Sequence, residues 1–439
     1  MPLSELERLV AASIAERERE LVELLTTLIG FDTTTHAVGA SPRDEERFQR
    51  FLVDRLEDSG ATTSLVTPDA DALRPHPMIP DGFSFGGRPQ LVARFAAGGD
   101  GRTLLLNGHI DVVSVEPRDA WTSDPFVAAV ENGRVRGRGA CDMKGGVAAM
   151  VFAAETLARL GVALAGELIV NTVSEEESTG AGGLASARTL RADGAIVPEP
   201  SGLAVWIACR GSLLPRIHVE GRSGHAGIPP KPHDEGGAVN AIEKTGIILE
   251  AIARLRDEWS RRPAHRFLAP ADAVPTMIKG GEWLVSYPAE CTLDVHLEYL
   301  PAEADESGWG SRVKDEFAAW IRAAADADPW LRDHQPRIEW VDGEVPPAEV
   351  SEDDPLVVSL LATQSDLGAR AELGGLDNWH DGATLTVEAG IPAVCFGPGD
   401  ITRAHTVDEE VPIADLVACA QGMAIAAMRF CGVTAREGS

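Results

Sequence analysis

The sequence predicts an α/β protein in which a smaller α+β sandwich is inserted into a larger domain with a mixed sheet flanked by helices. Strand-like apolar runs alternate with helix-length segments up to residue 210, the rhythm changes after Gly211, and the α/β alternation resumes near Ser351. A chain of 439 residues is long enough for two domains. We therefore expect one domain from residues 1–210 and 345–439, and an inserted domain from residues 211–344.

The elements of the larger domain follow from the apolar pattern. Residues 1–25 have the pattern of an acidic amphipathic helix, and a long Pro/Gly-rich loop at 68–89 suggests a functional edge. Strand-like runs are found at residues 62–66, 91–95, 103–107, 167–173, 195–197, 205–209 and 391–396. Further helical patterns cover residues 43–59, 143–160 and 413–430.

The inserted region has a different order of elements. A strand, a helix, two strands, a helix and a strand are predicted at 213–220, 235–257, 275–279, 291–299, 311–327 and 337–341. That order is typical of a small α+β sandwich.

Composition narrows the class of protein. A formal net charge of −29 argues against nucleic acid and anionic membrane surfaces as partners. The six cysteines are scattered without a CxxC pair, which indicates buried thiols in a reducing compartment. The N-terminal pattern has no apolar h-region, so we expect no export signal, and we expect no apolar run to approach the ~20 residues needed to span a bilayer. These features predict a cytoplasmic soluble protein.

The first candidate site residues follow the strand-like run at 103–107. His109 and Asp111 form a His-x-Asp pair whose side chains should leave the strand end on the same face. This arrangement suits a metal-binding histidine oriented by a carboxylate, although a His-x-Asp pair on its own is more often structural. Asp142 opens a glycine-rich segment further along the chain.

Three further segments place polar side chains after strands. Glu175–Glu177 end an apolar strand, the usual place for site residues in open α/β sheets, whereas acidic runs elsewhere are solvated surface. Glu199 lies between two prolines, which fits either a turn residue or rigid placement of one carboxylate. His405 lies in a loop after a strand, where a lone histidine is more often structural.

Together these side chains have the composition of a two-metal site in which one carboxylate bridges. The set is His109, Asp142, one of the adjacent glutamates, Glu199 and His405. Nitrogen and oxygen ligands without a thiolate suit zinc and permit cobalt or manganese. Two cations ~3.5–4 Å apart can hold a bridging hydroxide and polarise a carbonyl. Amide hydrolysis then requires a general base and an oxyanion donor.

The chain resembles the co-catalytic dinuclear metallohydrolases that include acetylornithine deacetylase, succinyl-diaminopimelate desuccinylase, aminoacylase and carboxypeptidase G. The resemblance covers nearly the whole chain, because the family's segments occur in order as GHIDVV, GRGACDMKGG, EEESTGAGG, EPSG, GRSGHAG, GIPAVCFGPG and AHTVDE. It implies a metallopeptidase catalytic domain with an inserted lid and dimerisation domain. It also implies hydrolysis of an N-acyl or N-acyl-amino-acid-like amide by a metal-bridged water.

By position, the resemblance implies that His109 and Glu199 bind one metal and that Glu177 and His405 bind the other. Asp142 would bridge the two metals.

The resemblance also implies that Asp111 orients His109 and that Glu176 is the general base. The triple glutamate leaves a second register open, with Glu175 as base and Glu176 as ligand. Alignment of residues 178–183 with the family's glycine turn favours the first register.

In the inserted domain, His225 of GRSGHAG matches a family histidine that crosses a dimer interface. There it stabilises the oxyanion in the neighbouring subunit's site. A polar residue in a Ser/Gly turn is the alternative interpretation. The resemblance therefore implies a homodimer.

Two positions depart from the family. Val285 stands where an Asn is common, and His296 stands where an Arg often holds a substrate carboxylate. An imidazole does not replace a permanently charged, bidentate guanidinium, so we expect poor activity on simple N-acetyl amino acids. Other candidate substrate-binding residues are Arg210, Arg403 and Gly397.

Three functions remain open at this point. The chain is an N-acyl deacylase, a dipeptidase or carboxypeptidase of the same fold, or a non-catalytic metal-binding dimer scaffold. The complete set of ligands, base and dimer histidine speaks against the scaffold. The altered carboxylate-binding positions favour an unusual small-molecule amide.

Overall fold

The computed structural model describes residues 2–35, 38 and 40–434 of the chain. Within these residues the chain forms two compact units. The first comprises residues up to Ala208, Ala348–Leu376 and the residues from His380 onward; the second comprises Cys209–Pro347 and Asp377–Trp379. The second unit is thus an insertion into the first.

The elements are as follows. The helices are α1 (Glu5–Glu16), α2 (Glu18–Ile29), α3 (Glu45–Asp58), α4 (Ala70–Leu73), α5 (Lys144–Arg159), α6 (Ala181–Thr189), α7 (Ala241–Trp259), α8 (Ser311–Asp326), α9 (Pro355–Asp366), α10 (Asp381–Ala389) and α11 (Ile413–Cys431). The strands are β1 (Thr62–Val66), β2 (Gln90–Phe95), β3 (Leu104–His109), β4 (Ala129–Glu131), β5 (Arg134–Arg136), β6 (Leu168–Val173), β7 (Gly194–Val197), β8 (Val205–Cys209), β9 (Gly211–Glu220), β10 (Gly224–His225), β11 (Asp272–Gly280), β12 (Ser286–Tyr287), β13 (Glu290–Tyr299), β14 (Arg337–Val345), β15 (Ala348–Glu349), β16 (Leu373–Leu376), β17 (Ala393–Cys395) and β18 (Glu410–Pro412).

The first unit is built on a mixed sheet with the order β1-β2-β6-β3-β7-β17-β8-β15, with β16 paired to β8. Its centre is parallel, because β3 pairs in parallel with β6 and β7, and β7 with β17. The strands β3, β6 and β7 are buried along their whole length, as expected for parallel strands covered on both faces. The predicted mixed sheet flanked by helices is confirmed.

Helix α5 approaches the sheet very closely. At Gly146, a Cβ would lie 2.1 Å from the carbonyl oxygen of Pro198, so a residue without a side chain is required there. This close approach brings the start of α5, just after Asp142, against the strand end that precedes Glu199. The packing therefore assembles two of the predicted ligands.

Two expectations about helices were wrong. Residues 5–29 form two helices rather than one, because Arg17 leaves helical geometry with φ −105° and ψ 22°. Helix α11 has the length and composition of a membrane-spanning helix, contrary to the expectation that no apolar run is that long. It nevertheless packs against α1, α5 and α9, and 61% of its most apolar stretch is buried in the protein. Within the first unit α11 is a core helix.

The second unit is a four-stranded antiparallel sheet with the order β11-β13-β9-β14 and two helices, α7 and α8. Strand β9 alternates buried and half-exposed side chains, the pattern of a sheet with one covered face. The large buried side chains Trp259, Tyr299 and Phe317 fill the core between the sheet and the helices. A separate two-stranded ladder joins β10 to β12.

Candidate metal centre

The carboxyl ends of four neighbouring parallel strands lead into the predicted site. His109 ends β3, the triple glutamate follows β6, Glu199 follows β7, and β17 leads into the loop that carries His405. Because parallel strands point the same way, their carboxyl ends meet at one edge of the sheet. Residues that are far apart in sequence therefore converge there.

The ring of His109 is oriented through the backbone of Asp111. Its Nδ1 lies 2.9 Å from the carbonyl oxygen of Asp111 and 3.8 Å from the nearer carboxylate oxygen. A carbonyl only accepts hydrogen bonds, so Nδ1 carries a proton and Nε2 is the ring nitrogen that faces the site. The Asp111 carboxylate instead accepts the backbone N–H groups of Glu176 and Glu177, at 3.3 and 3.0 Å. Asp111 thus holds the glutamate turn with its side chain and the histidine with its main chain.

Asp142 lies between the two histidines. Its Oδ1 is 3.1 Å from Nε2 of His109, and its Oδ2 is 3.4 Å from Nε2 of His405. Each oxygen thus faces a different imidazole, which is the arrangement of a carboxylate that bridges two cations.

Each histidine has a second carboxylate partner. Glu177 Oε1 lies 3.0 Å from Nε2 of His405, and Glu199 Oε1 lies 3.6 Å from Nε2 of His109. Glu199 Oε1 is buried and has no hydrogen-bond partner among the described residues, which is costly for a carboxylate oxygen unless a ligand satisfies it. The ligand atoms of His109, Asp142 and Glu177 lie within 4.8 Å of one another. These residues fit a pair of divalent cations.

The pKa shifts of the predicted ligands favour binding of cations. Burial, reinforced by the charge of Asp142, raises the pKa of Glu199 well above its usual range and that of Glu177 to about 7. Burial lowers the pKa of His109, but the charges of Glu199, Asp142 and Glu176 outweigh it and raise that pKa. Hydrogen bonds to Asp142 and Glu177 raise the pKa of His405 to about 10. Bound cations would relieve the repulsion between these carboxylates and keep them ionised.

The three consecutive glutamates point to different partners. Glu175 has a left-handed backbone with φ +71°, and its carboxylate pairs with Arg88 Nε at 2.9 Å and accepts the Ser178 hydroxyl at 2.6 Å. Glu176 Oε2 lies 3.9 Å from Nε2 of His109. Burial raises the pKa of Glu176 well above its usual value. Glu176 and Glu177 therefore face the histidines, whereas Glu175 is held in an ion pair.

The remaining predicted residues lie in two places. Gly397 packs against the backbone of Glu199, since a Cβ there would lie 2.2 Å from the Glu199 carbonyl oxygen. Arg403 is half-exposed and pairs with Glu410 at 3.0 Å. Both belong to the first unit.

In the second unit, His225 is exposed on β10 and His296 is half-buried on β13. Burial lowers the pKa of His296, and the charge of Arg210 adds to the effect. The Arg210 guanidinium donates to the carbonyl oxygens of Asp377 and Pro270 and forms an ion pair with Glu298. Arg210 is thus engaged in holding the second unit together.

Two buried acids near the site were missed. Glu409 is fully buried, accepts the N–H groups of Cys141 and Asp142 at 2.8 and 2.9 Å, and pairs with Arg138 at 2.7 Å. Asp381 is 1% exposed, receives a 3.4 Å hydrogen bond from Asn107, and burial raises its pKa to about 7. In the sequence Glu409 belongs to a short acidic run of the kind that is usually solvated, and Asp381 lies outside the predicted strand ends. Neither residue could therefore be identified as part of the site from the sequence.

The fold and the site define a class of protein: metal-dependent hydrolases with a dinuclear centre at the end of a mixed α/β sheet. The chain belongs to peptidase family M20/M25/M40, whose model matches residues 105–429. The resemblance drawn from the sequence motifs is confirmed. The protein is accordingly an amide-bond hydrolase of the kind that includes peptidases and deacylases.

Relatives and solved structures agree with this assignment. N-formyl-4-amino-5-aminomethyl-2-methylpyrimidine deformylase from Bacillus subtilis is 29% identical over 428 residues, covering 92% of this chain and 93% of that protein. Acetylornithine deacetylase from Myxococcus xanthus is 33% identical over 346 residues, covering 78% and 84%. The Bacillus subtilis YXEP protein, a dinuclear metal-binding peptidase of the M20 family, has a similar fold, with a TM-score of 0.64, 13% identity, and coverage of 94% and 98%.

Proposed function

We propose that this chain is a deacylase that removes a small acyl group, such as formyl, from an amine carried by an uncharged aromatic ring. The observation that carries the proposal is the chemistry at the positions where a substrate carboxylate would be held. Val285 is apolar, and a histidine with a lowered pKa is neutral at pH 7. Arg210 and Arg403, the remaining candidates, are already paired with Glu298 and Glu410.

The two relatives differ in this respect. The deformylase named above acts, by its name, on a formamide of an aminomethylpyrimidine, which has no carboxylate. Acetylornithine is an amino acid and carries one. The deformylase likeness also extends over a larger share of both chains than the acetylornithine deacetylase likeness. Both facts support a carboxylate-free aromatic amide as substrate.

We assign the ligands as the geometry groups them: His109 and Glu199 for one cation, Glu177 and His405 for the other, with Asp142 shared. Nitrogen and oxygen donors without a thiolate suit zinc, and permit cobalt or manganese. The two bound cations would polarise the amide carbonyl and lower the pKa of the attacking water. The chain's own side chains supply the remaining steps.

Glu176 is the proposed general base. As the water oxygen bonds to the carbonyl carbon, a Glu176 carboxylate oxygen takes the proton that the water releases. The C–N bond then breaks, and the same proton passes from Glu176 to the leaving nitrogen. The products are the free amine and the carboxylic acid of the acyl group, which keeps the second proton of the water and loses it to solvent. Asp111 positions Glu176 by accepting its backbone N–H.

His225 is the proposed oxyanion donor, supplied by the second subunit of a homodimer. Strand β11 is an edge of its sheet and exposes Met277 and Ile278, each close to half accessible. Exposed apolar edge strands are surfaces on which chains pair. All six cysteines lie among the described residues, are buried and form no disulfide there, in keeping with the reducing cytoplasm that we propose as its location.

The substrate assignment predicts a clear preference. The purified protein should hydrolyse N-formyl-4-amino-5-aminomethyl-2-methylpyrimidine at least about tenfold better, in kcat/KM, than N-formyl or N-acetyl amino acids. A charge-assisted hydrogen bond to a carboxylate is worth about 1.5–3 kcal/mol, or one to two orders of magnitude, and this site does not provide it. A tenfold preference for the free acid over its uncharged amide analogue would show that a carboxylate pocket exists.

The dimer assignment predicts complementation between two inactive chains. Mixing a His225→Ala chain with a Glu176→Gln chain should restore up to about a quarter of wild-type activity, because half of the molecules are heterodimers and one of their two sites has both groups. Activity is measured on the mixture after unfolding and refolding, and again on heterodimers isolated by two affinity tags, in which it should reach up to about half of wild type. Confirmed heterodimers without recovered activity would contradict a role of His225 in trans.

A further inference from the structure

A short ladder joins His225 to an unusually exposed apolar loop. Strand β10 pairs with β12 so that His225 lies opposite Ser286, and the Ala226 N–H donates to the Val285 carbonyl oxygen at 2.8 Å. Directly before this ladder, Trp283 is 72% exposed and Leu284 is 100% exposed.

The loop is tied to the ladder by its own backbone. The Ser286 N–H donates to the Trp283 carbonyl oxygen at 3.2 Å, which closes a turn over the exposed pair. Three residues of chain span at most about 10 Å, so Trp283 cannot lie far from the strand position that faces His225. A site that receives His225 therefore lies close to Trp283 and Leu284.

The side chains of this loop favour contact with an aromatic ring of the substrate. Indole is the side chain with the largest apolar surface, and it stacks on flat aromatic groups with the centroids 4.5–7 Å apart. The adjacent Glu282 is exposed and carries a charge that would repel a substrate carboxylate. An uncharged or amino-substituted aromatic ring can stack on Trp283 and is not repelled by Glu282.

We infer that Trp283 and Leu284 form the subsite for the aromatic ring of the amine half of the substrate, and that they act in the partner subunit's site together with His225. This inference rests on the proposed function and adds the residues that select the leaving amine. In an N-acyl aminomethyl ring the ring is two bonds from the amide nitrogen, so an oxyanion donor and a ring subsite are needed close together.

The first test compares two formamides that differ only in the ring, N-benzylformamide and N-methylformamide. The ratio of their kcat/KM values should fall about 10–100-fold in Trp283→Ala, because burial of a large apolar side chain contributes about 1.5–3 kcal/mol. Leu284→Ala should lower the ratio less, and Trp283→Phe should retain most of it. Val127→Ala, another exposed apolar position but in the first unit, is the matched control and should leave the ratio unchanged.

The second test locates the subsite. A His225→Ala chain is paired with a chain that carries both Glu176→Gln and Trp283→Ala. The one site with an intact base then receives an intact His225 but no indole, so activity should return on N-methylformamide with the selectivity for N-benzylformamide lost. Full selectivity in this heterodimer would show that Trp283 acts in its own subunit and would overturn the inference.

The outcomes separate the two proposals. If wild-type protein hydrolyses neither formamide, the proposed deacylase function fails and the ring subsite fails with it. If it hydrolyses both and Trp283→Ala leaves the ratio unchanged, the deacylase function stands and the ring subsite alone is wrong. Sedimentation velocity on each variant checks that the comparison is made between dimers.

Discussion

Glu176→Gln is expected to lower kcat by about 10²–10⁴ while leaving metal content unchanged. The amide retains the shape of the side chain but cannot accept the proton of the attacking water, and general-base catalysis contributes an effect of this size. Glu176 lies 3.9 Å from His109 but is not needed to complete either group of ligands. Steady-state kinetics and elemental analysis of the same preparation measure both quantities.

Glu175→Gln is the matched control, one residue away on the same turn. Its carboxylate pairs with Arg88 and accepts a hydroxyl hydrogen bond from Ser178, so the substitution should affect stability more than rate. A dead Glu175→Gln protein beside a nearly normal Glu176→Gln protein would show that the base lies one residue earlier in the sequence.

Asp142→Ala should remove both metals at once. Each carboxylate oxygen faces a different histidine, at 3.1 and 3.4 Å, so one side chain serves two coordination groups. Activity should fall by at least about 10³, since metal assistance supplies several kcal/mol. Metal content after dialysis should drop from about two ions per chain to less than one, with Asp119→Ala as an exposed control in the same unit.

Dialysis of the wild-type protein against a chelator tests the same centre without mutation. Turnover should be abolished, and zinc, cobalt and manganese added separately should restore it to different degrees. Full activity in protein verified to be free of metal would contradict the two-metal mechanism.

The Asp142→Ala variant should keep its fold, because the backbone N–H of Asp142 donates to Glu409 and this bond does not depend on the Asp142 side chain.

Much of the fold was predictable because its signals are local. Continuous apolar runs predicted the buried parallel strands β3, β6 and β7, and the polar residues after them predicted the edge where side chains converge. The periodicity also predicted α7 and α8. Helix α8 starts at the predicted residue, whereas α7 starts several residues later than predicted because its start is set by the capping side chain of Asn240.

The features that the sequence did not predict depend on contacts between residues in the folded structure. The sequence suggested that the Asp111 carboxylate orients His109, but the backbone carbonyl of Asp111 does so, and which of the two acceptors is nearer depends on the folded geometry. In the sequence Glu409 is one of several neighbouring acidic residues. Its burial is stabilised by the ion pair with Arg138 and by two backbone N–H groups that donate to it. The break at Arg17 lies inside an unbroken amphipathic pattern that has no proline or glycine to mark it.

The position of Glu409 has a consequence for how the centre is loaded. It ties the turn that carries Asp142 to its own loop, 267 residues later in the chain, and its partner Arg138 also donates to the Thr406 carbonyl beside His405. The entropy of ordering these ligands is therefore already lost when the chain folds, before any ion arrives. Metal ions should exchange by stepwise dissociation from ligands that stay in their folded positions, without local unfolding. The relative supply of divalent ions in the cell, and not refolding, would then decide which one occupies the enzyme.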